Sequence, residues 1–304
     1  MQLLQVLRDS SALDKVVREI EEVERFARSL SSKLISFLNQ SPGNIHIYSY
    51  TGFGYSAASL LYWASLIFQG SKHPVLAESE ESSIYLLPYR EDYSAIVFST
   101  GEYSKLIQSL QVLRILGVEY LAFSPTPPNE MIRNTLRYYN VELIPTNDSV
   151  SASLYTTLAS FIAISEIYKS SLNIRGKRLF EHGREGFTVT VKSFIEKYSD
   201  VIEASLSKPI TAITSTRFLE GAGILLSHVL RSIGVEAVYL PVEEALTYNK
   251  PLLGVFLSSE ERLRREFKTQ KGSNLYELVL NVEPLEGIVY TVILSYVLYK
   301  LVKQ

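Results

Sequence analysis

IHIYSYTGFGYSAASLLYWASLI, residues 45–67, is the stretch that decides the predicted fold. In its first part, apolar residues occur at alternating positions, which is typical of a strand. Its last part has the apolar pattern of a helix. Gly52 and Gly54 lie between the two and allow a tight turn that a ligand can approach closely. Amides at a helix start attract anions, and the Ser56 hydroxyl adds a donor. The pattern therefore predicts either a phosphate-binding turn or an ordinary strand-to-helix connection.

Strands and helices alternate along the rest of the first half. An amphipathic helix is predicted over residues 12–38. Beyond it the pattern predicts strands at 44–51, 73–77, 94–99, 118–124 and 141–145, and helices at 55–67, 101–116, 133–140 and 151–168. Such alternation is typical of a parallel sheet covered by helices on both sides.

The second half repeats this arrangement in outline. We predict helices at 187–198, 217–233, 259–268 and 284–302, and strands at 209–214, 235–240 and 252–257. The corresponding strand–turn–helix units at 45–67 and 209–233 suggest an internal duplication. The predicted fold class is α/β, with two doubly wound three-layer α/β/α lobes and mainly parallel sheets. The predicted domains are a helical segment (1–40), a first lobe (41–172), a polar linker (173–186) and a second lobe (187–304).

Composition excludes several classes of function. The chain has 30 basic and 32 acidic residues, and this balance disfavours nucleic acid as a partner. The absence of cysteine excludes disulfides, thiolate metal sites and a cysteine nucleophile. The four histidines form no HxH or HxxxH pair, so no metal site is predicted. We also predict no cofactor.

Neither end of the chain shows a targeting or membrane pattern. Residues 1–15 lack the uninterrupted apolar core of a signal peptide. The most apolar segment, Gly287–Val302, is shorter than the roughly 18–20 uncharged residues that span a bilayer, and Lys300 lies near its end. We therefore predict a buried helix there, no membrane association and a cytoplasmic location.

Three segments carry a resemblance to a known family. They are the Gly-x-Gly-x-Ser turn at residues 52–56, the segment Phe98–Tyr103 in place of a Ser-x-Ser-Gly-x-Thr motif, and SVSASLYTTLASFIAI at 149–164 as a Ser/Thr-rich entry into a helix. In this order they resemble the sugar isomerase (SIS) domain family. The similar members have two tandem lobes, such as the isomerase half of glucosamine-6-phosphate synthase, related deaminase/isomerases, and archaeal phosphoglucose/phosphomannose isomerases.

The resemblance implies a sugar-phosphate site in the first lobe. Its hydroxyl groups and helix-start amides would come from Gly52, Gly54, Ser56, Ser99, Thr100, Gly101, Ser104 and Ser153. Ordinary helix capping is the alternative explanation for these serines and threonines. The motif is also altered, because Phe98 replaces its first serine, Tyr103 replaces its threonine, and Leu154 stands where a lysine is expected.

The second lobe departs further from the family pattern. The helix that carries a proton-transferring glutamate in synthase-like members offers only Ser227 and His228 here. The Glu-x-x-His-Gly-Pro motif is reduced to residues 243–251, without histidine. Because the residues of this chain include no cysteine and no glutaminase-like segment, we expect no glutamine-dependent synthesis.

Two glutamates and a histidine remain as catalytic candidates. Glu243 and Glu244 follow Pro241 at the carboxyl end of a predicted strand, where α/β sites lie. A carboxylate there could move a proton between adjacent carbons through an enediol, although a solvated acidic loop is the alternative. His182, beside Glu181 in the linker, could assist ring opening, or could be a solvated loop residue.

Three functions are consistent with these residues. The first is an aldose–ketose isomerase or amino-sugar-phosphate deaminase/isomerase acting on hexose 6-phosphates. The second is a non-catalytic sugar-phosphate sensor. The third is a structural paralogue whose site is filled by Phe53, Phe98 and Tyr103. The family and the 20 tyrosines, a residue type enriched at interfaces, predict a homodimer.

Overall fold

The computed structural model describes residues 10–68, 72–89, 91–170, 173–206 and 210–303. The chain forms two compact units. The first unit is Val23–Glu185. The second unit contains the chain from Gly186 onward together with the start of the N-terminal helix, up to Glu22. That helix therefore contributes to both units.

The first unit is built on a five-stranded parallel sheet. Its strands are β1 (Ile45–Thr51), β2 (His73–Glu78), β3 (Tyr93–Ser99), β4 (Glu119–Pro125) and β5 (Val141–Ile144). Their order is β2-β1-β3-β4-β5, and each neighbouring pair is parallel. Strand β2 lies on one side of β1, and the strands that follow it in the chain lie on the other side, beginning with β3. The strand order therefore reverses between β1 and β3.

Six helices accompany this sheet. They are α1 (Ser10–Gln40), α2 (Tyr55–Ile67), α3 (Tyr103–Ile115), α4 (Glu130–Leu136), α5 (Ser149–Ile167) and α6 (Ile174–Glu185). Short helical turns cover Ser79–Tyr89. Side chains fix several of the helix starts, because the Asn129 and Asp148 side chains accept hydrogen bonds from the amides of Met131 and Ser151.

The second unit contains a four-stranded parallel sheet. Its strands are β6 (Ala212–Ser215), β7 (Val238–Tyr239), β8 (Leu252–Leu257) and β9 (Leu275–Leu280), in the order β7-β6-β8-β9. Its helices are α7 (Thr188–Leu206), α8 (Glu220–Ser232), α9 (Val242–Thr247), α10 (Glu261–Lys271) and α11 (Pro284–Lys303). The first four strands of both units follow the same order. The predicted α/β class with parallel sheets and helices on both sides is confirmed.

Two helices are long and apolar enough to cross a bilayer by composition alone, and both are core helices. Most of the apolar part of α5 and of α11 is buried within the described residues. The prediction of a buried helix at 287–302 is therefore confirmed.

The structure also contains elements that the sequence pattern did not predict. Strand β9 was missed, because Glu277 interrupts its short apolar run; in the structure Arg264 and Lys268 pair with this carboxylate. The segment predicted as a linker forms α6. The Asn173 side chain accepts a hydrogen bond from the Gly176 amide at its start. The predicted lobe boundaries themselves stay a prediction.

Candidate functional site

The site predicted from the sequence lies at the carboxyl ends of β1 and β3. Ligands of doubly wound sheets bind where the strand order reverses, outside the carboxyl ends of the strands. In the first unit this place is bordered by the turn after β1 (residues 52–54) and by residues 99–103 after β3. We call these two segments together the first-unit edge.

Hydroxyl groups connect the two halves of the first-unit edge. Thr51 Oγ1 donates a hydrogen bond of 2.9 Å to Ser99 Oγ. Thr100 Oγ1 accepts a 2.9 Å hydrogen bond from the Phe53 amide. Ser153 on α5 donates to the Phe53 carbonyl oxygen at 3.1 Å. These bonds bring the predicted residues Ser99, Thr100 and Ser153 against the glycine turn.

Glycine is required at two positions of this turn. Gly52 has φ of +55°, and a Cβ added there would lie 2.8 Å from Thr100 Oγ1. A Cβ on Gly54 would lie 2.2 Å from the Phe98 carbonyl oxygen. Across the edge, Gly101 has φ of +120° and open space where a Cβ would point. The turn is therefore packed directly against β3, whereas the Gly101 side of the edge is open.

The remaining predicted serines differ in exposure. Ser56, in the first turn of α2, is fully buried, and its hydroxyl has no hydrogen-bond partner among the described residues. Such a buried, unsatisfied hydroxyl is uncommon in folded proteins. Ser104, in the first turn of α3, is exposed. The roles of these serines as ligand contacts stay predictions.

Charged side chains at the first-unit edge form one cluster. Lys105 Nζ lies 3.0 Å from a Glu78 oxygen, 3.3 Å from Glu102 and 3.9 Å from Glu80. Hydrogen bonds and attraction from Glu78 and Glu102 raise the pKa of Lys105. Three carboxylates thus share one ammonium group. An anionic ligand at this edge must compete with them for Lys105.

His182 lies on α6 of the first unit and is half-buried. Its ring meets the Phe161 ring edge-on, with centroids 6.3 Å apart. The adjacent Gly183 is packed so closely that a Cβ there would lie 2.3 Å from Ser165 Oγ. His182 therefore does not occupy the solvated loop that was the alternative to a catalytic role, because it lies on a helix that packs against α5; its role in ring opening stays a prediction.

The predicted catalytic glutamates lie in the second unit. Glu243 and Glu244 occupy the first turn of α9, directly after Pro241, and both are exposed. Glu243 lines a pocket of about 300 Å³, together with Ser215, Arg217, Glu220 and Tyr239. Glu244 is not among the residues lining this pocket.

Tyr239 lies in the wall of this pocket. Its hydroxyl lies 3.1 Å from Ser215 Oγ. Burial, and then the charges of Glu220 and Glu243, raise the pKa of Tyr239 to about 12. The phenol therefore stays protonated and can serve as a hydrogen-bond donor.

A carboxylate missed at the sequence level connects β6 and β8, between which the second sheet reverses its strand order. Glu260 accepts a hydrogen bond of 2.7 Å from Thr216 Oγ1 and one of 2.8 Å from the Leu257 amide. Burial raises its pKa. In sequence, Glu260 could not be distinguished from its neighbour Glu261, since both belong to one charged run.

A separate polar cluster lies at the amino ends of the first unit's strands. Burial, and then the charge of Lys72, lower the pKa of His46 to about 4. His46 Nε2 lies 2.8 Å from Ser41 Oγ, to which Lys72 donates at 3.0 Å. Beside them is a cavity of about 110 Å³ bordered by Tyr48 and Tyr168.

The described residues contain no group of three or more His, Asp or Glu side chains able to hold a metal ion.

Comparison with known proteins gives similarity of structure only. No protein-family model and no curated protein matches the sequence. The fold resembles those of phosphosugar isomerases and deaminases. Glucosamine-6-phosphate deaminase from Thermotoga maritima has 13% identity and a TM-score of 0.65, over 95% of this chain and 94% of its own.

Two further solved structures agree. The C-terminal domain of glucosamine-fructose-6-phosphate aminotransferase from Francisella tularensis has 16% identity and a TM-score of 0.64, covering 96% of this chain and 95% of its own. A candidate phosphosugar isomerase from Bacillus subtilis has 12% identity and a TM-score of 0.63, with 93% of both chains covered. At such identities the similarity shows the fold alone.

Proposed function

We propose that the protein binds a hexose 6-phosphate at the first-unit edge and interconverts its aldose and ketose forms. The observation that carries the proposal is the position of the Gly52–Gly54 turn and of Thr100–Gly101 on the two sides of the β1/β3 strand reversal. The structural neighbours, whose names include phosphosugar isomerase and deaminase, support the same class of ligand. We further propose that the two units are tandem SIS domains.

In this proposal the first-unit edge holds the phosphate. Hydroxyl groups and helix-start amides are good donors to phosphate oxygens. The Ser99 hydroxyl accepts from Thr51, so its own proton remains available to a ligand. The buried hydroxyl of Ser56 is a further donor if the turn opens around the phosphate.

The chemical step consists of proton transfers only. A base removes a proton from C1 of the ketose, the carbonyl oxygen at C2 is protonated, and an enediol forms. Return of a proton to C2, with loss of the C1 hydroxyl proton, gives the aldose without any oxidant or reductant. Glu244 or Glu243 is the proposed base, and His182 the proposed ring-opening acid. In a deaminase, an amino-sugar phosphate would follow the corresponding proton transfers to an imine at C2, which water would hydrolyse to the ketose with release of ammonia.

A non-catalytic sugar-phosphate sensor is the second candidate. It is favoured by residues 222–234, which offer only Ser227 and His228 where the resemblance implies a proton-transferring glutamate. A structural paralogue without ligand is the remaining candidate, favoured by the complete burial of Ser56 and Phe98. For every candidate we propose a cytoplasmic homodimer, which sedimentation at micromolar concentration would test; a monomer would contradict it.

Calorimetry and isotope exchange separate these candidates. Fructose 6-phosphate and glucosamine 6-phosphate are titrated into the wild-type protein and the Thr100→Val variant. Binding that the variant weakens supports a ligand at the first-unit edge. No binding in the millimolar range contradicts it and leaves the structural paralogue.

Solvent deuterium incorporation at C1 of fructose 6-phosphate then reports enediol formation. We expect incorporation that falls by about 10²–10⁴-fold in Glu244→Gln or Glu243→Gln. The exposed Glu261→Gln serves as the matched control. Binding without incorporation supports the sensor.

A further inference from the structure

The pocket of the second unit combines charges of both signs at one sheet edge. Ser215 ends β6 and Tyr239 ends β7, so the pocket lies at the carboxyl ends of two parallel strands. Its volume of about 300 Å³ is in the range of small-molecule sites. It is built from residues distant in sequence from the first-unit edge.

The floor of the pocket is polar and closely packed. Ser215 is almost completely buried, and its hydroxyl is paired with that of Tyr239. Gly223 on α8 permits this arrangement, since a Cβ there would lie 2.8 Å from both Ser215 Oγ and the Tyr239 ring. The pair offers hydroxyl groups to a ligand from a fixed position.

The charged groups at its mouth are suited to a ligand with two opposite charges. The Arg217 side chain is exposed and forms no ion pair or hydrogen bond with another described residue, so its guanidinium group is available to a carboxylate or phosphate. Glu220 and Glu243 place two carboxylates against the same space. Two carboxylates disfavour a bare anion, whereas an ammonium group is attracted to them.

We propose that this pocket binds a small zwitterion, a molecule with one anionic group held by Arg217 and one primary ammonium group held between Glu220 and Glu243. Two sources supply this chemistry, an α-amino acid and an amino-sugar phosphate. The site uses neither Glu244 nor the first-unit edge, and it shares only Glu243, one of the two proposed bases, with the proposed function.

Matched ligands test the charge requirement. Calorimetry at pH 7 compares two pairs of ligands. Glucosamine 6-phosphate is compared with glucose 6-phosphate, and glutamine with glutaramate, which is glutamine without its α-amino group; the second member of each pair lacks the ammonium group. We expect at least one zwitterion to bind tenfold more tightly than its matched anion. Preference for glutamine identifies an amino acid, and preference for glucosamine 6-phosphate an amino-sugar phosphate. Equal affinities within both pairs, or no binding at 10 mM, overturn the proposal.

Variants assign the binding to this pocket. Arg217→Gln and Glu243→Gln should each weaken the zwitterion about tenfold, whereas the exposed controls Arg231→Gln and Glu236→Gln should not. Thr100→Val should leave the affinity for glutamine unchanged; with glucosamine 6-phosphate, which the first-unit edge is also proposed to bind, it should weaken the binding at that edge and leave the binding that depends on Arg217. If Thr100→Val abolishes binding and Arg217→Gln does not weaken it, the ligand lies at the first-unit edge. That result would overturn the proposal and leave the proposed function intact.

Discussion

Thr100 Oγ1, at the end of β3, accepts a hydrogen bond of 2.9 Å from the backbone amide of Phe53 in the turn after β1. The bond joins the two strands between which the sheet reverses its order. It holds the glycine turn against β3, together with the Thr51–Ser99 hydrogen bond and the bond from Ser153 to the Phe53 carbonyl oxygen.

Thr100→Val should therefore loosen the edge. The variant keeps the side-chain volume but leaves the part-buried Phe53 amide without its acceptor, which costs about 1–2 kcal/mol in the free energy of unfolding. Thr100→Ser keeps the oxygen and should be close to wild type. Urea unfolding measures both; equal stabilities of the valine and serine variants would contradict a role for the bond.

Gly54→Ala should be far more harmful than Gly117→Ala. At Gly54 the new Cβ would overlap the Phe98 carbonyl oxygen, and we expect a loss of about 3 kcal/mol or more. Gly117 has φ of +65° but open space around it, so only backbone strain of about 1–2 kcal/mol is expected. Thermal unfolding of the two variants compares a steric effect with a conformational one. Similar losses would mean that the turn moves away from β3.

Glu102→Gln should strengthen the binding of a sugar phosphate. It removes one of the three carboxylates around Lys105 and frees part of that ammonium group for the ligand. Removing one like charge close to a bound anion changes binding by ~1 kcal/mol, or about fivefold. Glu119→Gln, at the start of β4 and so at the opposite end of the sheet, is the control. Titration at low and high salt should show a gain that shrinks with salt; no gain at low salt would argue against an anion at this edge.

Stability should fall between pH 7 and pH 5 because of His46. Its pKa is about 4 when folded, against an ordinary value of 6.5, so below pH 6.5 the unfolded chain binds more protons than the folded one. The contribution is complete above pH 6.5 and decreases by on the order of 2 kcal/mol by pH 5.

The variant His46→Gln isolates this effect. It should flatten that part of the pH profile in urea unfolding, whereas His73→Gln, at an exposed position, should not. Parallel profiles for wild type and His46→Gln would contradict the assignment of the pH dependence to His46.

The hydrophobic pattern predicted most strands and helices correctly. In long periodic segments such as 45–67 and 284–302, the local spacing of apolar residues is enough to identify the element. Elements that depend on tertiary contacts were harder to predict. Helix α6 has two glycines and few apolar residues, and Arg28 supports it by donating to the carbonyl oxygens of Gly183 and Arg184. No local pattern contains that contact.

The candidate site shows the same division. Gly52, Gly54 and Thr100 could be singled out because a turn motif marks them in sequence. Glu260, Arg217 and Tyr239 could not, because each meets the groups around it only when separate strands end at one sheet edge. The burial of Ser56 could not be predicted from the sequence either, since a serine at the start of a helix is usually solvated.

Helix α1 is divided between the two units, and this affects the order in which a newly made chain can fold. Near its beginning, Asp14 pairs with Lys192, and Glu19 pairs with Lys300 and accepts a hydrogen bond from Tyr296. All three partners are synthesised long after α1, and two of them, Tyr296 and Lys300, lie on α11. On the ribosome, Val23–Glu185 can complete its own contacts while the first turns of α1 wait for α11 to emerge. The second unit can therefore complete its packing only after α11 has been translated, although it also contains the start of α1.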